Sequence, residues 1–451
     1  MSYILKSNNN VEGLFFGALL LLVFVLSFTK DMLTGFPFYE DISVRYIDDL
    51  VVCTFFTYAV SVCCIRLRIP RKLVLAFLFL GVFLVYVLLQ WIFLNVNMSF
   101  LNFIYGFRDS YWYLGILMAC IAYMNNDPRR MGEIEHLIIM MLKAFVIVEI
   151  SAVILQEIAF IIMRGQILYE DAVTGTLGKG QSHILAYSLL LCFPVIWLYM
   201  RRARAWILAG CFTVVLIASA RAAVVIATIA WLTSIMVYKK AKYKGLIGNI
   251  SKKYAFAVLF IMVSGIALYN AVAPGAAIRV NLMLQQQMRN VSESDENKGS
   301  RRVGVFLYSE ALLSQYGNIW GGAGAANYAS RSAPYIDKGL YKIFSDIFPF
   351  KNEMLSGGSS LNVWFIEYGI VGGVLLFLIP YSFLIRYLYK TGPPYFMAGL
   401  VFFLGLIANK LSEAYATAII FWLIVILAYI QNHKTYMRVT SRKLLVEPTR
   451  Q

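Results

Sequence analysis

Residues 205–237 read AWILAGCFTVVLIASARAAVVIATIAWLTSIMV, two apolar runs that meet at Ser219-Ala220-Arg221-Ala222-Ala223. The junction is too short for a loop, so Arg221 must sit at or inside a membrane boundary. A charge at the centre of a membrane helix costs about 2.5–3.5 kcal/mol on insertion scales, which makes it a functional candidate in search of an anionic partner. The runs are continuous apolar blocks without the two-residue alternation of a membrane barrel, so they predict helices.

Working outward, comparable runs begin near Val11, Ile47, Leu73, Ser110, Leu137, His183, Ala205, Ala222, Tyr254, Leu361, Tyr395 and Glu413. That predicts an all-α polytopic membrane protein of about twelve helices, the seventh and eighth short and nearly fused. Composition agrees. Of 451 residues, 60% are hydrophobic and 14% charged, against about 45–50% and 25% in soluble domains.

Basic residues fall at alternate junctions. Arg66, Arg68, Arg71 and Lys72 follow the second run, Arg129 and Arg130 the fourth, Arg201, Arg202 and Arg204 the sixth. Lys239, Lys240, Lys242, Lys244, Lys252 and Lys253 follow the eighth, Arg386 and Lys390 the tenth, and Lys434, Arg438, Arg442 and Lys443 the last. The positive-inside rule places these junctions and both termini in the cytoplasm. The net charge of +16 is thereby a topology signal, and no nucleic-acid partner is expected. The opening segment, Leu14 to Phe28, reads as an anchor, because no small-x-small cleavage pattern follows it. All six cysteines lie in or beside predicted helices, which argues against a disulfide framework, and no Cys/His metal spacing appears.

The expected organisation is membrane helices one to nine over 1–273, a large outer loop over 274–360, three further helices over 361–431 and a cytoplasmic tail over 432–451. Ordinary loops stay under about 12–15 residues, so the outer loop should carry function. Within it Ile336, Leu340, Ile343, Phe344 and Ile347 recur at helical spacing, predicting a helix on the membrane surface or packed on the protein itself. Neither an internal repeat nor paired broken helices are evident, which weighs against a secondary transporter.

Several cations fall on the face that the rule disfavours: Arg108, Lys179, Arg221, Arg279, Arg289, Arg301, Arg302 and Arg331. Guanidinium forks bind phosphate oxygens bidentately, and a pyrophosphate at a membrane boundary needs several of them. A single exposed loop arginine is more often only solvated. Glu310, Glu367, Glu413 and His183 are candidate general bases or structural partners for these arginines. Gly321-Gly322-Ala323-Gly324-Ala325-Ala326 resembles a dinucleotide loop only weakly, since no strand precedes it; a tight turn returning the loop to the membrane is the better account.

In order, Gly175-Thr176-Leu177-Gly178, His183-Ile184-Leu185-Ala186, Ser219-Ala220-Arg221, Arg302 with Phe306 and Ala311-Leu312, Gly322-Ala323-Gly324 and Glu367-Tyr368-Gly369-Ile370-Val371-Gly372 are similar to elements of the bacterial O-antigen polymerase and ligase superfamily. The similarity covers roughly residues 100 to 390. It implies an inner-membrane glycosyltransferase acting on undecaprenyl-pyrophosphate-linked glycans in O-antigen, capsule or exopolysaccharide synthesis. Arg221, Arg302, Arg108, Arg301 and Lys179 would hold the pyrophosphate, and Glu367, Glu310 or His183 would serve the acceptor hydroxyl. Tyr308, Tyr328 and Tyr335 would stack on sugars. No cofactor, nucleotide sugar or metal is implied; a chain-length regulator and a repeat-unit flippase are the implied partners, with membrane lipids around them. Ligases of the superfamily carry a histidine shortly before the Glu-x-Gly element, where this chain has Gly358-Ser359-Ser360-Leu361-Asn362. That departure favours a polymerase over a ligase. A lipid-linked glycan flippase and a non-catalytic glycan-binding scaffold are the remaining alternatives.

Overall fold

The computed structural model describes residues 2–33, 47–65, 71–93, 100–125, 127–164, 173–177, 181–218, 221–240, 313, 318–327, 359–409, 411 and 414–446. Among these residues the architecture is all-helical, with no strand and one isolated bridge between Asn318 and Gly322. The helices are α1 (Ser2–Leu33), α2 (Ile47–Ile65), α3 (Arg71–Phe93), α4 (Phe100–Tyr111), α5 (Leu114–Met124), α6 (Pro128–Arg164) and α7 (Ser182–Leu191). They continue as α8 (Phe193–Tyr199), α9 (Arg204–Ile217), α10 (Arg221–Lys240), α11 (Ser360–Gly372), α12 (Ile379–Thr391), α13 (Pro393–Ala408) and α14 (Tyr415–Val446).

Six described spans are long and apolar enough to cross a membrane, and five shorter apolar helices accompany them. This fits a multi-pass membrane protein. The helix expected from Tyr254 and the amphipathic segment at 336–347 lie outside the described residues.

Several runs that read as single helices are interrupted. The fourth run, expected to begin near Ser110, meets a turn at Trp112 and Tyr113 between α4 and α5, so Arg108, expected before the run, lies in a helix. The sixth divides at Cys192, where Pro194 in the first turn of α8 supplies no amide hydrogen to the preceding turn. The tenth passes through a π-helical turn, Gly373–Leu378, between α11 and α12. Helix α14 continues to Val446, so the segment expected to be a tail beyond 432 begins as helix.

Burial separates the centre from the lipid face. Within the α14 span 83% of residues are buried, against 22% within α3. Ile419, Ile420, Phe421, Leu423, Ile424, Val425, Ile426 and Leu427 are all enclosed, as expected of a helix that is apolar on every side and packed by neighbours. Phe421 stacks on Phe402 of α13 at 3.9 Å between ring centroids.

Polar cross-links sort the ends of the bundle. Arg130 pairs with Glu12 at 2.9 Å, and Tyr58 donates to the same carboxylate at 2.7 Å. Glu135 bonds Lys434 and accepts from Tyr199 at 3.2 Å, and Asn432 donates to Thr391 at 2.7 Å. Arg130, Glu135, Tyr199 and Thr391 lie at or near helix ends that the charge pattern assigns to one side, and their partners Glu12, Tyr58, Asn432 and Lys434 reach them from within helices. Asp49, Arg108 and Tyr415 meet at the opposite end, as do Ser360, Asn409 and Tyr187.

Candidate functional site

The most unusual backbone lies where α11 breaks. Gly369 has φ +65° and ψ −174° inside an otherwise helical run, which frees carbonyls and amides that lipid cannot satisfy. Residues 318–327 repair the break. Ala323 N–H donates to the Ile366 carbonyl at 2.8 Å and Gly324 N–H to the Glu367 carbonyl at 3.0 Å. In return Ile370 and Val371 donate to the carbonyls of Ile319 and Trp320 at 3.0 and 3.1 Å. Side chains complete the accounting: Gln90 Nε2 donates to the carbonyls of Gly321 and Glu367 at 2.6 and 2.9 Å. Tyr86 donates to the Tyr368 carbonyl at 2.5 Å, and Asn102 to that of Ala325 at 3.1 Å.

Close approach explains the glycines. A Cβ at Gly322, where φ is +83°, would lie 2.5 Å from Gly369 N, and one at Gly369 would lie 2.5 Å from Gly322 N. The two segments that carry the glycine-rich and Glu-Tyr-Gly elements are therefore pressed backbone to backbone. The turn expected at 321–326 exists, but its role is to pair with a broken helix.

Glu367 is 1% exposed, and its Oε2 accepts from Ala326 N–H at 2.9 Å. It latches the inserted segment. Ser359 caps α11 by accepting from Asn362 N–H at 3.2 Å, while Ser360 N–H donates to the Asn409 carbonyl at 3.1 Å. Ser359, in the stretch that departs from the expected ligase histidine, thus serves as a helix cap.

Arg108 lies in α4, with Nε 3.0 Å from Asp49 Oδ1 and Nη2 donating to Tyr415 at 2.6 Å. Burial opposes its charge, yet Tyr415, Asp49 and Asp109 outweigh burial and hold it protonated more firmly than usual. Its charge is already matched inside the protein, unlike a cation awaiting a pyrophosphate. His183 is half-buried in the first turn of α7. Arg221 is the first residue of α10. Glu310, Arg301, Arg302, Lys179, Tyr308, Tyr328, Tyr335 and Glu413 lie outside the described residues.

Sequence reasoning passed over Glu149. It is 1% exposed in α6, accepting from Thr176 N–H at 2.9 Å and from the Thr176 hydroxyl. Gln156 closes the same turn, donating to the Gly175 carbonyl at 2.7 Å and accepting from Gly175 N–H at 3.1 Å. The Gly-Thr element before the sixth run is thereby fastened to α6. The available signal was a carboxylate in the apolar run Phe145-Val146-Ile147-Val148-Glu149-Ile150.

No protein-family model matches the chain, and no curated protein matches it.

Proposed function

We propose that the protein polymerises undecaprenyl-pyrophosphate-linked repeat units in the bacterial inner membrane. In this reading it has about twelve spans, one large periplasmic loop and both termini in the cytoplasm. The growing glycan is the donor and a new lipid-linked repeat the acceptor. The acceptor hydroxyl attacks the anomeric carbon, the bond from that carbon to the pyrophosphate oxygen breaks, and the hydroxyl proton passes to a carboxylate. Arg221 and Arg302 stabilise the charge developing on the departing pyrophosphate. We assign proton removal to Glu310, because the Glu367 carboxylate is occupied by Ala326 N–H.

The observation that carries the reading is the pairing of residues 318–327 with the Glu367–Gly369 break, which joins two of the elements that resemble the superfamily's. An interrupted membrane helix also occurs in transporters, which keeps a flippase as the second reading. Purified protein given only the lipid-linked repeat is expected to build a ladder of lipid-linked oligomers and release undecaprenyl pyrophosphate. Absence of a ladder, with transfer only after lipopolysaccharide core or protein is added, would indicate a ligase instead. Movement of the repeat across a vesicle bilayer without lengthening would indicate a flippase.

The topology has its own test. Single cysteines at Arg202 and Lys240 are expected to resist an impermeant thiol reagent in intact spheroplasts, while those at Asn297 and Lys338 react. Reaction at 240 without reaction at 338 would invert every assignment of side.

The latch separates structure from catalysis. Glu367→Gln keeps an acceptor oxygen for Ala326 N–H, so it should fold and retain activity within about tenfold. Glu367→Ala strands a buried donor and should lose about 1–3 kcal/mol of stability. A glutamine variant with normal Tm and no turnover would move proton removal back to Glu367.

A further inference from the structure

A recess opens beside the break, walled by the corner between α4 and α5 and by α12, α13 and α14. Arg108, Asp109, Ser110, Trp112 and Tyr113 line one side; Tyr381, Phe402, Tyr415, Ala418 and Trp422 line the other. Its free space is about that of one water molecule. Three features define what it can hold. First, Trp112 is 8% exposed, yet its indole N–H has no hydrogen-bond partner among the described residues. A buried donor left unmatched is costly, so a group that accepts from it is expected.

Second, one guanidinium here faces two aspartates, Asp49 and Asp109. That balance disfavours an anion and suits a neutral hydroxyl, which can both donate and accept. Third, the remaining walls are mostly aromatic, and Tyr113 meets Tyr415 edge-on at 6.1 Å. These buried rings make a rigid, dry wall around a space that fits a single hydroxyl, with the rest of a sugar left outside the recess. The recess also adjoins the candidate site: Ser110 Oγ lies 3.1 Å from the Tyr368 hydroxyl, one residue from Glu367.

We infer that this recess is an acceptor subsite that receives one hydroxyl group of the incoming glycan, with the Trp112 indole N–H as donor. The inference rests on the polymerase reading for its ligand class. It places the uncharged acceptor apart from the cationic residues assigned to pyrophosphate.

The test uses the full-length protein in phosphatidylethanolamine and phosphatidylglycerol bilayer discs. The probe is the lipid-linked repeat extracted from a strain of the source bacterium lacking this gene. Trp112→Phe keeps an aromatic wall and removes the donor. Its acceptor KM is expected to rise about 5- to 10-fold, as for loss of one hydrogen bond, with kcat within about twofold. Inhibition by inorganic pyrophosphate should not change. Ala418→Val, which narrows the recess from α14, should raise KM at least as much, with Tm measured alongside to report any overpacking cost. Unchanged KM in both variants would mean that the recess holds a structural water only and would overturn the subsite. So would a Trp112→Phe effect confined to pyrophosphate inhibition. If the wild-type protein builds no ladder, the polymerase reading fails on its own. The recess is then judged by saturation-transfer NMR with the repeat glycan released from its lipid: binding lost in Trp112→Phe supports it, and equal or absent binding overturns it.

Discussion

Gly369→Ala and Gly322→Ala are each expected to abolish accumulation of folded protein. At both positions φ is positive, at +65° and +83°, and an L side chain there costs about 1–2 kcal/mol before any contact is counted. The added carbon would also lie 2.5 Å from a backbone nitrogen of the other segment. No rotamer change relieves a collision with backbone. Separating the segments would strand the amides of Ala323, Gly324, Ile370 and Val371 and the carbonyls they bond, in surroundings where water is not a ready substitute. The combined penalty should exceed about 4 kcal/mol, the range reserved for strain and broken buried networks. Gly81→Ala is the comparator, because nothing lies within 4 Å of its Cβ position and alanine is the better helix former. Detergent extraction followed by fluorescence-detected size exclusion should show a monodisperse peak for Gly81→Ala and aggregate or no protein for the other two. Unchanged Tm for both paired glycines would refute the described pairing.

This break also marks the boundary of what the residues alone convey. Continuous apolar blocks place most helix starts, because hydropathy acts locally, and the alternating basic junctions supply the expectation of side. The pairing of 318–327 with 366–371 depends on main-chain groups far apart in sequence, and the main chain is the same in every residue. Only the glycines leave a trace, and a glycine-rich run is equally compatible with a turn. Arg108 shows a related difficulty. Read in its own segment it is an outward cation needing an anion, and its partner Asp49 belongs to another helix. Glu149 is legible as a carboxylate in an apolar run, while its engagement with Thr176 is not. The central position of α14 is equally hidden, since an all-round apolar helix suits lipid and protein core alike.

The second large effect is expected at the arginines. Arg221→Ala and Arg302→Ala should each abolish polymer formation while leaving the amount of membrane-inserted protein unchanged. Arg221 is the first residue of α10, where unpaired amide hydrogens and the helix dipole favour negative charge. A guanidinium at that point adds a bidentate fork for phosphate oxygens. On the proposed polymerase reading such contacts, near the membrane boundary, are weakly screened, and the charge that they meet grows as the bond to the anomeric carbon breaks. Loss of one group aimed at developing charge typically costs about 10²- to 10³-fold in kcat, enough to remove visible ladders from a polymer gel. Arg221→Lys and Arg302→Lys should restore only part of the activity, because an ammonium is a point charge without the fork. The same alanine variants should lose inhibition by inorganic pyrophosphate, which Trp112→Phe should retain. Ladders of near-normal length and yield from both alanine variants, at equal protein levels, would leave the pyrophosphate site without its anchors and require the leaving group to be held elsewhere.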